Sequence, residues 1–315
     1  MKSRSLKIGF ITSAIENINL DPDSQSFDST WQLIEGGKKR GHQIRYILDT
    51  SVMHKDGMIM GVSYEITNLK AKEKLTNKKT EDLSSFDILL IRKDPPFDVG
   101  YLTLTQLLAK IPEKTKIVND PVGLAAFNEK TAVLFFPEYA PKSLVTCSIS
   151  EIKAFMEKQK KGVVVKGLDN KGGSNVYMLK PKDPNTNEIL QQITKGGTHY
   201  IMCQDLLNIE KSGDKRITTI NGKPIGGFVR RPAKGDFRGN MGKGAHAVPA
   251  TANAKEAAMA KEIAHFFSQY GIAIIGIDVI DGKCTEINIT SPVLSRKFIP
   301  NIDHELYTYL ESLCQ

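Results

Sequence analysis

The stretch from Gly276 to Pro292 constrains this chain more than any other, because it places acid inside an apolar hairpin. Two Ile/Val-rich runs flank Asp281-Gly282, a strong two-strand turn signal. Asp278, Glu286 and Asn288 stand where a buried hairpin should carry only hydrophobes. Ionised carboxylates in a core are costly unless they are paired or bound to a metal. A donor set made only of oxygens suits Mg²⁺. Strand parity makes the idea testable. Glu286 and Asn288 are two residues apart and share a face. A plain two-residue loop would pair Asp278 with Thr285 and turn it away from them. A three-residue loop, Ile280-Asp281-Gly282 with Gly282 left-handed, would pair Asp278 with Cys284 and gather all three donors on one face. The metal reading therefore predicts an odd loop count or a bulge. The alternative is an edge hairpin with solvated acids, and these residues alone leave both open.

A chain of 315 residues points to two or three domains. No apolar run reaches the ~18 residues of a membrane span. Met1 to Arg4 leads directly into an apolar run at 6–12 that reads as a first strand rather than a signal peptide. Cys147, Cys203, Cys284 and Cys314 show no metal or redox spacing and suggest a reducing, cytoplasmic setting. A net charge of +8 admits an anionic substrate or nucleic acid. The lysines are dispersed, however, and no nucleic-acid motif is present, so neither nucleic acid nor membrane is expected as a partner. The Lys70–Lys79 run reads as a solvated surface loop.

The remaining pattern is β-α-β-β-α-β followed by a new unit near Pro121. Strands are expected at 6–12, 43–49, 86–91 and 116–119, helices at 29–40 and 101–109, and a loose hairpin around Asp56-Gly57. This order suggests an open, largely parallel sheet, whose ligands bind beyond the carboxyl ends of strands, where Arg92 and Lys93 fall. Beyond it come helices at 124–135 and at 150–159 with Ser150 as N-cap. Strands at 163–166 and 175–179 surround a glycine loop, and another runs over 200–207. A hairpin turns at Asn221-Gly222, a loop rich in glycine and charge spans 233–247, and helices cover 254–270 and the region from about 302.

Lys166 ends a run of valines and Lys130 sits in an apolar helical pattern, and each needs an anionic partner. Asn170-Lys171-Gly172-Gly173-Ser174 could bring backbone N–H groups close to phosphate, or be a plain turn. The loop from Lys234 to Gly244 has the composition of a lid that closes over an anionic substrate, or of a loop without such a role. Asp214-Lys215-Arg216 and Arg230-Arg231-Pro232 are equally open between a solvated turn and a site. No histidine, serine or cysteine stands in a nucleophile or metal pattern.

Taken together, Arg92-Lys93-Asp94-Pro95-Pro96-Phe97-Asp98, Asn128-Glu129-Lys130, Gly213-Asp214-Lys215-Arg216, Arg238-Gly239-Asn240 and Thr285-Glu286-Ile287-Asn288-Ile289-Thr290-Ser291-Pro292 resemble the bacterial glutathione synthetases of the ATP-grasp superfamily. The resemblance runs from about residue 6 to about residue 310. It implies an α/β fold: an N-terminal open parallel-sheet domain (1–121), then a two-part ATP-grasp fold with an α+β lid (122–203) and a C-terminal domain bearing the metal hairpin (204–315). It implies ATP and Mg²⁺, with Mn²⁺ possible, and γ-glutamylcysteine and glycine joined through an acyl phosphate. A homo-oligomer, a tetramer, is also implied.

By position, Lys130, Lys166 and Gly172-Gly173-Ser174 resemble the nucleotide-phosphate contacts. Gln204, Asp205, Leu206 and Leu207 resemble the hinge that receives adenine, and Asp214 a ribose contact. Asp278, Glu286 and Asn288 resemble the Mg²⁺ ligands. Arg216 and Arg230 would be catalytic, facing the acyl phosphate and substrate carboxylates. Asn17, Asn19, Arg92, Arg238, Asn240 and Ser291 would bind substrate. The chain departs from the family at Gly167 and Asn170, where the usual run is Lys-Pro-Leu-Asp-Gly-x-Gly-Gly. It departs again at 241–246, where Gly-Gly-Arg is usual, and at 293–297. These departures fall on the acceptor side, so the alternative is a related carboxylate–amine ligase with a different amine or peptide substrate. A non-catalytic basic binding protein is a third reading, resting only on net charge.

Overall fold

The apolar runs near the N-terminus pair in parallel, and the polar ones between them do not. In the computed structural model, residues 4–13, 29–66, 75–169, 174–232 and 245–315 are described. Strands β1 (Lys7–Thr12), β2 (Gln43–Leu48), β6 (Ile88–Ile91) and β7 (Lys116–Val118) form a parallel core ordered β2-β1-β6-β7. The crossovers carry helices α1 (Thr30–Lys39) and α2 (Val99–Leu108), the second capped by the Asp98 carboxylate, which accepts from Tyr101 N–H at 2.8 Å. Three further strands extend the sheet in antiparallel fashion: β3 (Met53–Lys55), β4 (Met58–Ile66) and β5 (Leu75–Asp82).

The sheet is thus parallel only at its centre. The part of the Lys70–Lys79 run from Leu75 onward is not a loop but an edge strand on β4. Its exposed Lys, Thr and Asn side chains hid it from a hydrophobicity reading, and such charge is also what keeps an edge from pairing with another chain.

After α3 (Pro121–Ala126) the chain makes a short 3-10 turn over Thr131–Phe135. The single helix expected at 124–135 is therefore two pieces, broken at 127–130, where Asn128 folds back on the backbone N–H of Lys130 at 3.0 Å. Strands β8 (Ser143–Thr146), β9 (Val163–Gly167), β10 (Val176–Leu179) and β11 (Ile201–Asp205) form a second, antiparallel sheet ordered β10-β9-β11-β8. Helices α4 (Ile149–Glu157) and α5 (Thr186–Ile193) pack on it through Ile152 and Leu190. The cap of α4 is Ser148, not Ser150, since the Ser148 hydroxyl accepts from Glu151 N–H at 3.4 Å. The division expected at 203/204 passes through β11, which keeps Gln204 and Asp205 in this sheet.

Past the short helix α6 (Ile209–Ser212), a third sheet holds β12 (Asp214–Ile220), β13 (Lys223–Arg231), β14 (His246–Pro249), β15 (Ile274–Ile280) and β16 (Lys283–Asn288), ordered β14-β13-β12-β15-β16. The Asn221-Gly222 turn has both residues at positive φ, 48° and 78°, as a tight hairpin of this hand requires. Helix α7 (Ala254–Ser268) lies against β12 and β13 and starts with a reciprocal Asn253–Glu256 capping box. Helix α8 (Ile302–Ser312) returns to the first sheet, packing Leu306, Tyr307 and Leu310 in one cluster with Ile8, Trp31 and Tyr46.

Candidate active site

The acid-bearing hairpin answers the parity question by a route other than the loop first expected. Ile280 pairs with Lys283, so the turn is a plain Asp281-Gly282 pair with φ of 52° and 74°. A bulge between Asp278 and Val279 then shifts the register, so that Asp278 pairs with Glu286 and Gly276 with Asn288. One extra residue, Thr285, does what a three-residue loop would have done. The three donors share a face, and the Asn288 amide Nδ2 lies 3.3 Å from Asp278 Oδ2. The solvated-acid reading fails here, because Asp278 is only 5% exposed.

Asp278 is neutralised from the neighbouring strands. Arg216 on β12 donates Nε–H to Oδ1, and Nη2–H to Oδ2 at 2.9 Å. Arg230 on β13 approaches Oδ1 at 3.0 Å and also holds Asp214 at 2.7 Å. Burial alone would raise the Asp278 pKa, but the two guanidiniums outweigh it and hold the carboxyl well below the ordinary range. For Asp214 burial wins and its pKa is raised. Gly276 makes this packing possible, since a Cβ there would meet Arg216 Cδ at 2.9 Å and Nη1 at 3.0 Å. Asp214 is thus placed in the arginine cluster, ion-paired to Arg230.

The two predicted lysines converge on the same hairpin. Lys166, on β9 of the second sheet, donates to Gln204 Oε1 at 2.7 Å and to the Thr285 carbonyl at 3.4 Å. Burial, the largest influence, lowers its pKa. Gln204 is in turn fixed by donating to Ser143 Oγ at 3.1 Å. Lys130 reaches Glu286 Oε1 at 3.5 Å. Asp205 ends β11 with a buried carboxylate oxygen, Oδ1, that has no partner among the described residues, and burial raises its pKa. Leu206 and Leu207 follow it into the turn before α6, with Leu206 N–H donating to the Gly162 carbonyl at 3.2 Å. Ser174 is described at the far end of the glycine loop, before β10.

Arg92 lies just beyond β6, buried, with Nε donating to Thr30 Oγ1 at 3.3 Å at the start of α1. Its carbonyl accepts from Ser291 Oγ at 3.3 Å, which brings the first and third sheets together at this point. The remaining predicted residues, Asn17, Asn19, Gly172, Gly173, Arg238 and Asn240, lie outside the described residues. Sequence reading quoted Glu129 only as part of a motif. It is buried, and its carboxylate accepts three hydrogen bonds from the residues that follow β16. Asn119 was missed too. Its side chain bridges Ala273, Ile274 and Ile289. Only its polarity at a strand end marked it.

The donor chemistry fits a hard divalent cation. Two carboxylates and an amide share one face, with cationic side chains around them that phosphate oxygens could also use. Among the described residues there is no cluster of three or more His, Cys, Asp and Glu that could hold a metal, and the hairpin set includes the amide of Asn288 in their place.

Residues 129–301 match the family description "Prokaryotic glutathione synthetase, ATP-grasp domain", and residues 6–125 match "Prokaryotic glutathione synthetase, N-terminal domain". A glutathione synthetase of Vibrio vulnificus (strain YJ016) is 34% identical over 93% of this chain and 92% of its own length. That of Escherichia coli (strain K12) is 31% identical over the same shares. Among solved structures, the D-cycloserine synthetase DcsG aligns with a TM-score of 0.71 at 12% identity, covering 98% of this chain and 100% of its own. D-alanyl-alanine synthetase A from Vibrio cholerae aligns at 0.63 and 13%, covering 98% of each chain. The fold is that of the ATP-grasp ligases, and the chain is an ATP-dependent ligase. It belongs to the prokaryotic glutathione synthetase family.

Proposed function

We propose that this ligase joins γ-glutamylcysteine to glycine, giving glutathione, ADP and phosphate. The observation that carries the reading is the meeting of Lys130, Lys166, Arg216 and Arg230 around Asp278, Glu286 and Asn288. Phosphoryl transfer needs positioning and charge neutralisation rather than a protein nucleophile, and such a cluster supplies both. Lys130 and Lys166 would hold nucleotide phosphates, with adenine against Gln204 to Leu207. Asp278, Glu286 and Asn288 would hold Mg²⁺ or Mn²⁺, which neutralises phosphoryl oxygens when bound.

The cysteinyl carboxylate attacks the γ-phosphorus of ATP, and ADP leaves. The glycine amine then attacks the acyl phosphate carbon, the C–O bond breaks as the amide bond forms, and the amine proton leaves with the phosphate. Arg216 and Arg230 are already bound to Asp278, so the same guanidiniums can share their charge with the acyl phosphate without a large movement. Each such preorganised donor is worth roughly 3 kcal/mol at a transition state. Arg92 and Ser291 stand where the first and third sheets meet and would hold the dipeptide, together with Asn17, Asn19, Arg238 and Asn240. Asp214 would act through Arg230. The chain divides, on this reading, into an N-terminal unit to about residue 121, a lid carrying the second sheet, and a C-terminal unit from about residue 206. Four free cysteines suit a reducing cytoplasm, and the family resemblance favours a homo-oligomer, which light scattering would measure.

The test is ADP release with γ-glutamylcysteine and glycine supplied together and singly, with and without Mg²⁺. Release should require both substrates and the metal. Equal release without glycine, or release only with another amine, would overturn the substrate assignment and favour a related ligase.

A further inference from the structure

Strand β16 is the last strand of its sheet, so the outward N–H groups on its free edge need partners. The segment from Glu129 to Tyr139 supplies them. Cys284 N–H donates to the Tyr139 carbonyl at 2.9 Å, and Ile287 N–H to the Glu129 carbonyl at 3.0 Å. Glu129 Oε1 then accepts from Ile289 N–H at 2.9 Å, Thr290 N–H at 2.9 Å and Thr290 Oγ1–H at 2.7 Å. One residue therefore grips positions 287, 289 and 290 on both sides of Asn288. The Ile289 carbonyl is held from the other side by Asn119 Nδ2 at 2.8 Å.

The neighbours of Glu129 point to different parts of the site. Lys130 reaches Glu286 at 3.5 Å. Asn128 Nδ2 donates to the Leu168 carbonyl at 3.0 Å, at the foot of the second sheet's glycine loop, while its Oδ1 accepts from Lys130 N–H at 3.0 Å. Burial of a carboxylate that faces another, Glu286, is unfavourable, and burial raises the Glu129 pKa. A group kept at that cost has a positional use or is replaceable by any neutral residue, and the two can be told apart.

We propose that Glu129 is a positioning residue whose carboxylate and carbonyl lash the edge of β16 to the segment carrying Lys130. The lashing fixes the separation between a phosphate-binding lysine and the oxygen donors Glu286 and Asn288. It rests on the ligase reading above for the roles of Lys130 and β16.

Mn²⁺ binding in the presence of a non-hydrolysable ATP analogue, followed by electron paramagnetic resonance, tests it apart from turnover. Residues that orient metal ligands typically change affinity ten- to hundredfold when lost, so Glu129→Ala should weaken Mn²⁺ about tenfold or more. Its KM for γ-glutamylcysteine should stay within about twofold of wild type, since Arg92 and Ser291 are untouched. Glu129→Gln keeps an acceptor oxygen and should recover most of the lost affinity. Thr290→Val removes one of the three donors and should weaken Mn²⁺ by a smaller factor than Glu129→Ala does.

A folded Glu129→Ala with wild-type Mn²⁺ affinity overturns the proposal. So does a Gln variant as impaired as the Ala variant. Should Glu129→Ala fail to fold, Thr290→Val decides, and unchanged Mn²⁺ binding in it overturns the proposal. Wild-type protein that binds no Mn²⁺ with the analogue would sink the metal assignment and this proposal together. The other adverse results sink this proposal alone.

Discussion

Two buried carboxylates, one on the β15–β16 hairpin and one against its edge, are accommodated in opposite ways. Asp278 sits among cations and is held deprotonated by Arg216 and Arg230. Glu129 sits among backbone N–H groups at the edge of β16, and burial pushes its pKa up. The difference separates an acid whose partners could yield to a ligand from one whose partners could not. Side-chain cations can turn toward an arriving phosphate and leave a carboxylate to a metal ion. Backbone N–H groups cannot, so a carboxylate that satisfies them is committed to holding the chain. On the proposed function, the first region serves exchangeable chemistry and the second is a joint.

The sharpest break of this comparison is Glu286→Gln. The change keeps shape and removes one of the charges around which Lys130 and the cation would gather. Turnover should fall by roughly 10²–10³ at saturating ATP, with little change in the unfolding midpoint. Steady-state ADP release with a denaturant melt checks both halves. A variant that stays active would return Glu286 to a structural role.

Next comes stability. Asp278→Asn leaves the buried Arg216 guanidinium without its counter-charge and Arg230 with Asp214 alone, and should cost about 3–5 kcal/mol in a urea titration of metal-free protein. The pH dependence has a definite sign. A depressed carboxyl contributes stability above its ordinary value near 3.8 that is lost as the pH falls through its folded value. The gap between wild type and Asp278→Asn should therefore close in acid.

Glu129→Gln should behave in the opposite sense. A raised carboxyl contributes fully below its ordinary value near 4.5 and loses that contribution as the pH rises through its folded value. The Gln variant should equal wild type near pH 4 and exceed it by about 1 kcal/mol at pH 8, because a costly buried charge is gone and the acceptor remains. A Gln variant that loses stability as the pH rises would erase the distinction between the two carboxylates.

The smallest effect is protonic. Burial lowers the Lys166 pKa, so the free protein loses that proton earlier on raising the pH than an exposed lysine would. Phosphate oxygens held there, as proposed, would restore it. ATP binding should take up a fraction of a proton, more at higher pH, and Lys166→Met should abolish the uptake. Calorimetry in two buffers of different ionisation enthalpy reads this directly.

The chain's local signals carried far. The valine run before Lys166 and the Asp281-Gly282 and Asn221-Gly222 turns all act within a few residues, where apolar periodicity and left-handed tolerance decide the conformation. The edge strand β5 was illegible because its outward face is charged, and hydrophobicity is the wrong measure for an edge. The single helix expected across 124–135 failed because Asn128 and Glu129 spend their polar atoms on backbone instead of extending a helix.

By itself the sequence determined which residues could carry charge or an amide into a core: Asp278, Glu286, Asn288 and the lysines that would answer the acids. Parity added that a bulge or an odd loop was needed. Only the tertiary structure decided that Thr285 is the bulge, that Arg216 and Arg230 come from adjacent strands to neutralise Asp278, and that Glu129 closes the free edge of β16. The reason is range. Propensity and turn chemistry act between near neighbours. The Arg216–Asp278 and Glu129–Ile289 contacts join parts of the chain far apart in sequence, and only strand register and burial select them.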